Sequence, residues 1–148
     1  MIPEFTAAGI LPPGVHETTW AELLERFGGS LRRKSILQGL RQAALSLKRA
    51  GCRRLWIDGS FVTNERLPGD WDGCWDSVGV DLTKLDSVLK DLSPVGRRRM
   101  KAKYMTDLFP ASVVEEGSGL LFVNFFQVHK ATGEPKGILL LDLVVWTP

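Results

Sequence analysis

Apolar residues recur along this chain with two different periods, and the switches between them mark the expected elements. Thr19 and Glu22 have the spacing of a capping box; Leu23, Leu24 and Phe27 follow before Gly28-Gly29 stops the helix. Ser30 then caps a longer helix ending before Gly51, with Ile36, Leu40, Ala43, Ala44 and Leu47 on one face. Arg32, Arg33, Lys34, Arg41, Lys48 and Arg49 coat the remainder, as a solvated face should be coated. Residues 53–57 predict a first strand and 70–75 a second. Leu82, Leu85, Val88, Leu89 and Leu92 predict a helix over 80–92, with Thr83 near its start. Pro94 interrupts, and a short basic helix follows through Tyr104.

The last third reads as β-structure. A short strand is expected over 109–114, a turn at 117–119 and a clear strand over 120–128. Residues 129–136 contain Thr132-Gly133 and Pro135 and read as a hairpin loop, leading into a final strand over 137–146. At the other end, Leu11-Pro12-Pro13-Gly14 makes residues 1–16 an extended arm over the surface. The expected architecture is α/β (α+β), a mixed central β-sheet with helices mainly on one side.

Length and composition narrow the class. A chain of 148 residues is most simply one domain, 1–148, and buries about two thirds of its unfolded surface. Its 44% hydrophobic and 24% charged residues are those of an ordinary globular protein. No apolar run has the length to cross a bilayer and no signal peptide opens the chain, so no membrane partner is expected. Cys52 and Cys74 match no zinc-ligand spacing and read as reduced thiols of a cytoplasmic protein. The net charge of +2 identifies no partner, but Arg97, Arg98, Arg99, Lys101 and Lys103 crowd one segment without an acid. That segment is either a solvated helix face or a contact for the phosphates of RNA or a nucleotide.

Candidate chemistry concentrates in residues 57–76. Asp70 and Asp72 alternate with Trp71, so both carboxylates leave one strand face while the indole turns into a core. Two neighbouring carboxylates repel, and a divalent cation such as Mg²⁺, which prefers hard oxygen ligands, relieves them. Asp142 sits within a long apolar run, where an ionised carboxylate is costly unless a cation, an arginine or several donors meet it. Asp58 either caps its turn or assists a metal. Lys130 and Lys136 flank the hairpin, as phosphate ligands or as solvated loop residues. His16 and His129 each lack a partner at ligand spacing.

A hydrophobic strand, Gly59-Ser60, a short interval and then Asp70-Trp71-Asp72 together resemble the signature of the polymerase-β-type nucleotidyltransferase superfamily. The resemblance implies a nucleotidyltransferase-like fold. It also implies that Gly59 and Ser60 hold nucleotide phosphates, that Asp70 and Asp72 bind metal, and that Asp142 is the third acid, on a later strand. The chain departs from the pattern at Asp58, Phe61 and Gly73, which stand at positions usually aromatic or aliphatic, basic, and apolar. It also resembles a family of short bacterial proteins sharing the LPPG, DGSFVT, PGDWD and PKG blocks. The implied activity is Mg²⁺-dependent transfer of a nucleotidyl group from a nucleoside triphosphate (NTP) to a hydroxyl of RNA, protein or a small molecule, with two Mg²⁺ ions at the acids. Arg97, Arg98 and Arg99 would contact an RNA or protein acceptor. The alternatives are a degenerate nucleotide- or partner-binding module, as in a toxin–antitoxin pair, and a two-metal RNA nuclease.

Overall fold

The central strands are buried on both sides, and side chains that point alternately to each side give the sheet two dissimilar faces. The structure, a computed structural model, describes residues 1–148. In chain order the elements are β1 (Gly14–Thr18), α1 (Trp20–Phe27), α2 (Leu31–Arg49), β2 (Arg54–Asp58), β3 (Trp71–Trp75), α3 (Pro94–Tyr104), β4 (Thr106–Pro110), α4 (Phe122–Phe125) and β5 (Gly137–Asp142). Short 3-10 turns lie at Ser60–Val62 and Ser87–Leu89. The five strands form one mixed sheet in the order β1-β5-β2-β3-β4. β1–β5 and β3–β4 are parallel, and β2 runs antiparallel to both β3 and β5.

One face carries Leu55, Ile57, Trp71, Trp75, Leu108, Leu139 and Leu141 into the main core. Against it pack Leu23 and Phe27 of α1, the apolar stripe of α2, and Met100 and Tyr104 of α3. The capping box of α1 forms as its spacing requires: the Glu22 amide donates to Thr19 Oγ1 at 3.2 Å and the Thr19 amide to Glu22 Oε2 at 2.8 Å. The opposite face carries Trp56, Cys74, Phe109, Ile138 and Leu140 beneath the three rings of Phe122, Phe125 and Phe126. The three longer helices therefore lie on one side of a mixed sheet and the short α4 on the other.

Five elements differ from the sequence expectation, one of them the last strand, expected over 137–146 and ending at Asp142. Residues 80–92 form turns rather than a helix, because Asp81 and Asp86 accept from the Thr83 and Val88 amides at 3.0 and 3.1 Å. Leu85 and Leu89 are nonetheless buried. The strand expected over 120–128 is instead α4. Helical spacing places Phe122, Phe125 and Phe126 on one side, whereas a strand would point Phe125 away from the other two. The strand expected over 109–114 begins earlier, at Thr106. Met105 ends α3 in the left-handed conformation (φ 57°), and the chain enters β4 at once. Finally, the N-terminal arm contributes a parallel edge strand, β1, and buries Ile2 and Leu11.

Candidate functional site

Register assembles the site. Asp58 pairs with Asp72 across β2–β3, and Asp72 with Asp107 across β3–β4. Paired residues share a face and sit about 5 Å apart, so three carboxylates stand in a row across three adjacent strands. Asp70 precedes Asp72 by one pleat and joins them from the same side. Ligand oxygens of Asp70, Asp72 and Asp107 lie within 4.8 Å of one another.

Two local features hold this row. Trp71 is fully buried, and its indole N–H donates to the Tyr104 carbonyl at 2.9 Å while its amide donates to the Met105 carbonyl at 3.1 Å. The buried indole fixes the parity of β3 and thereby turns Asp70 and Asp72 outward. Gly59 has φ 91°, and a Cβ there would come within 2.9 Å of both the Asp72 amide and its Oδ2. Only glycine lets the turn after β2 pass so close to that carboxylate.

Charge is unevenly balanced along the row. Lys101 Nζ bridges Asp70 Oδ2 at 3.0 Å and Asp107 Oδ2 at 3.2 Å, and Arg97 reaches Asp107 at 3.3 Å. The hydrogen bond to Asp70 is the main reason that the Lys101 ammonium is held above its ordinary pKa. Burial alone would raise the Asp107 carboxyl, but the Arg97 and Lys101 contacts outweigh it and hold it below the usual range. Asp58 is ion-paired with Lys136, and burial still pushes its carboxyl upward. Asp72 has no such cation. Burial and then the neighbouring Asp70, Asp58 and Asp107 push its carboxyl to about 7.

Two clefts open on either side of Asp72. A cleft of about 340 Å³ is lined by Asp58, Gly59, Ser60, Asp70, His129 and Lys136. A larger one, about 560 Å³, joins Phe109, Phe122 and Phe125 to the charged side chains Arg97, Asp107, Glu115 and Glu116. Asp72, Phe126 and Lys130 line both.

The structure thus brings together Gly59, Ser60, Asp70, Asp72, Lys130 and Lys136 among the residues singled out in the sequence. It separates Asp142 from them. That residue is exposed, lies opposite Arg54 at the far end of β2, and accepts from the Val144 amide at 2.8 Å as β5 ends. Its parity is that of the row, but β5 starts beside Asp58 and runs away from it, so Asp142 falls about 13 Å along the sheet. No arginine pairs with it either. The third acid is Asp107, which sequence reasoning missed. Its signal was the alternation Thr106-Asp107-Leu108-Phe109, an acid between buried Thr106 and Leu108 straight after the basic helix. Asp58 forms an ion pair where a turn cap was expected. The basic run divides: Arg97 and Lys101 face the acids, and Arg98 and Arg99 are exposed. His16 contacts the Pro12 carbonyl at 2.7 Å, and His129 Nδ1 lies 3.0 Å from Thr132 Oγ1.

No helix is long and apolar enough to cross a membrane. No curated protein and no solved structure matches the chain. Residues 3–142, which hold all five strands and both clefts, match a family described as a family of unknown function (DUF6932), and the chain belongs to that family.

Proposed function

We propose that this protein transfers a nucleotidyl group from a nucleoside triphosphate to a hydroxyl acceptor in a metal-dependent reaction. The observation that carries this reading is the convergence of Asp70, Asp72 and Asp107 within 4.8 Å, beside the Gly59-Ser60 turn. The donor set fits a hard divalent cation: all carboxylate, with Asp72, which no lysine or arginine ion-pairs, pushed up to about 7 by burial and then by its acidic neighbours. Asp70, Asp72 and Asp107 would hold Mg²⁺, as one ion or two, and the chemistry it would supply is neutralisation of phosphate charge and a lowered pKa for an attacking hydroxyl. The chain's own groups do the rest. Gly59 and Ser60 offer a close backbone approach and a hydroxyl to phosphate, and Lys130 and Lys136 offer positive charge at the same cleft. Asp107 takes the role that the resemblance assigns to a third acid. Lys101 must swing out from between Asp70 and Asp107 for a cation to enter, and its side chain, 51% exposed, has solvent to enter.

The test is incubation with each labelled triphosphate, Mg²⁺ and cell extract, reading label on macromolecules together with pyrophosphate release. Asp70→Asn and Asp107→Asn are expected to abolish both signals, and Asp142→Asn to retain them. Pyrophosphate absent with the wild type, or an Asp142 variant as inactive as the Asp107 variant, rejects the reading.

One observation favours a second reading, a nucleotide-binding module without transfer: the Lys101 ammonium already supplies a cation between two of the acids. In that case triphosphate binds without Mg²⁺ and yields no pyrophosphate, and Lys101→Met weakens the binding.

A further inference from the structure

We propose that Arg32 and Arg33 are positioning residues of the site: two guanidinium groups at the start of α2 hold the loop that carries the Gly59-Ser60 turn at one end and Asp70 at the other. The inference rests on the metal-dependent reading above and adds side chains that touch neither metal nor phosphate.

Residues 59–70 join β2 to β3, and past the 3-10 turn at Ser60–Val62 they contain no further element. Local bonds shape the first part. The Val62 amide donates to the Gly59 carbonyl and the Thr63 amide to the Ser60 carbonyl, each at 3.2 Å. Residues 64–67 are exposed, and the Asn64 amide donates to the Gly9 carbonyl of the N-terminal arm at 3.0 Å. An exposed stretch of this kind has low local stability unless something beyond its own backbone holds it.

The two arginines supply that hold. Arg33 Nη1 donates to the Phe61 carbonyl at 2.6 Å, and its Nη2 donates to the Thr63 and Glu65 carbonyls at 2.9 and 2.7 Å. Arg32 Nε donates to the Pro68 carbonyl at 2.9 Å and its Nη2 to the Gly69 carbonyl at 2.5 Å. Five carbonyls of one loop thus accept from two adjacent side chains, and the last of them belongs to the residue before Asp70. A planar fork of donors can span several carbonyls, whereas an ammonium is a single point of charge. The Arg33 guanidinium is itself fixed, 5.7 and 5.5 Å from the centroids of the buried Phe27 and Phe61 rings.

The position of these arginines on α2 argues for a use beyond the helix. Ser30 caps α2, accepting from the Arg33 amide at 3.2 Å, so both arginines lie in a first turn that has no acid. Cations there oppose the helix dipole. A local rule is broken where a distant segment needs the charge. Ser60, Thr63 and Asp70 line the smaller cleft, and Ser60 Oγ donates to the Asp70 carbonyl at 3.5 Å, so both ends of the held loop meet at the site.

Mg²⁺ titration calorimetry, amide hydrogen exchange and thermal melts test this on the wild type, Arg32→Lys, Arg33→Lys and Lys34→Met. Lysine keeps the charge and loses the fork, and Lys34 is an exposed neighbour on the same turn. Each lysine variant is expected to weaken Mg²⁺ binding about tenfold, the effect of losing a support outside the ligand set. Exchange should rise over residues 61–70 and keep its wild-type rate in β2 and β5. Lys34→Met should match the wild type throughout. Arg33 packs on buried rings, so the exposed Arg32 supplies the variant that leaves the core untouched. Mg²⁺ affinity unchanged in both lysine variants overturns the positioning role. So does wild-type exchange over 61–70, which would show that the loop holds itself. Faster exchange over the whole sheet, with a lowered melting temperature, also overturns it, because the loss is then one of general stability. In these cases the metal-dependent reading stands on the wild type's own binding. If the wild type binds no Mg²⁺, that reading falls and this proposal with it.

Discussion

At Asp72, burial and the neighbouring Asp70, Asp58 and Asp107 raise the carboxyl to about 7 from an unfolded-state value of 3.8. The folded state therefore holds the proton more tightly, and stability falls as pH rises from about 4 to about 7. Above that window the whole penalty is present. Three pH units correspond to about 4 kcal/mol, and the opening of Asp72 to two solvent-filled clefts reduces this to roughly 2 kcal/mol. Without divalent metal, Asp72→Asn is accordingly expected to stabilise the fold by about that amount at pH 8. Near pH 4 it should have little effect. The carboxyls of Asp86 and Asp107, held low by their lysine and arginine partners, lose stability on acidification in both proteins. The difference between variant and wild type isolates Asp72. Urea unfolding at the two pH values checks this, and an equal gain at both would assign it to packing instead of charge.

Among the elements, the junction of α3 with β4 matters most to the site. Tyr104 ends the helix, its carbonyl anchors Trp71, and its hydroxyl is bonded to Asp86. Beneath it runs α2, and a Cβ on Gly39 would approach the Tyr104 carbonyl oxygen to 2.4 Å. Gly39→Ala gains at most about 1 kcal/mol of helix propensity. Forcing α2 and α3 apart costs about 1–3 kcal/mol and displaces the carbonyl that orients Trp71. A net loss of thermal stability is expected and, on the metal-dependent reading proposed above, weaker Mg²⁺ binding at Asp70 and Asp72. A variant more stable than wild type would show that the helix contact is slack. The capped helices were legible because caps and stripes act over a few residues. The segment 120–128 was not: its apolar run suits either period, and the Phe122, Phe125 and Phe126 cluster is satisfied only by the helical one.

Over the whole molecule the net charge is only +2, but the exposed cations of α3 collect beside the acid row. Arg97 and Lys101 are held by Asp70 and Asp107, which leaves Arg98 lining an open groove beside Asp107 and Arg99 exposed on the same helix. On the transfer reading proposed above, an RNA or protein acceptor would meet these cations, and for RNA the binding is expected to depend strongly on salt. Replacing Arg98 and Arg99 together by alanine should reduce the slope of log affinity against log salt by about 1–2. Folding stability should move by less than about 0.5 kcal/mol per site. An unchanged slope in filter-binding or anisotropy titrations would make these arginines a solvated helix face.

The sequence by itself determined what depends on near neighbours: the caps at Thr19 and Ser30, the strand before Gly59, and the outward parity of Asp70 and Asp72 around a buried Trp71. It also placed the matched turn and acid pair within one short stretch. Only the tertiary structure decided which later acid completes the cluster. Asp107 and Asp142 both lie on strands, and both have the parity of the row. β4 lies parallel to β3 with Asp107 in register with Asp72, whereas β5 runs antiparallel to β2 and carries Asp142 away. Periodicity is written into neighbouring residues, but the order and direction of strands are set by how distant segments pack, and a row of carboxylates exists only once that packing is made.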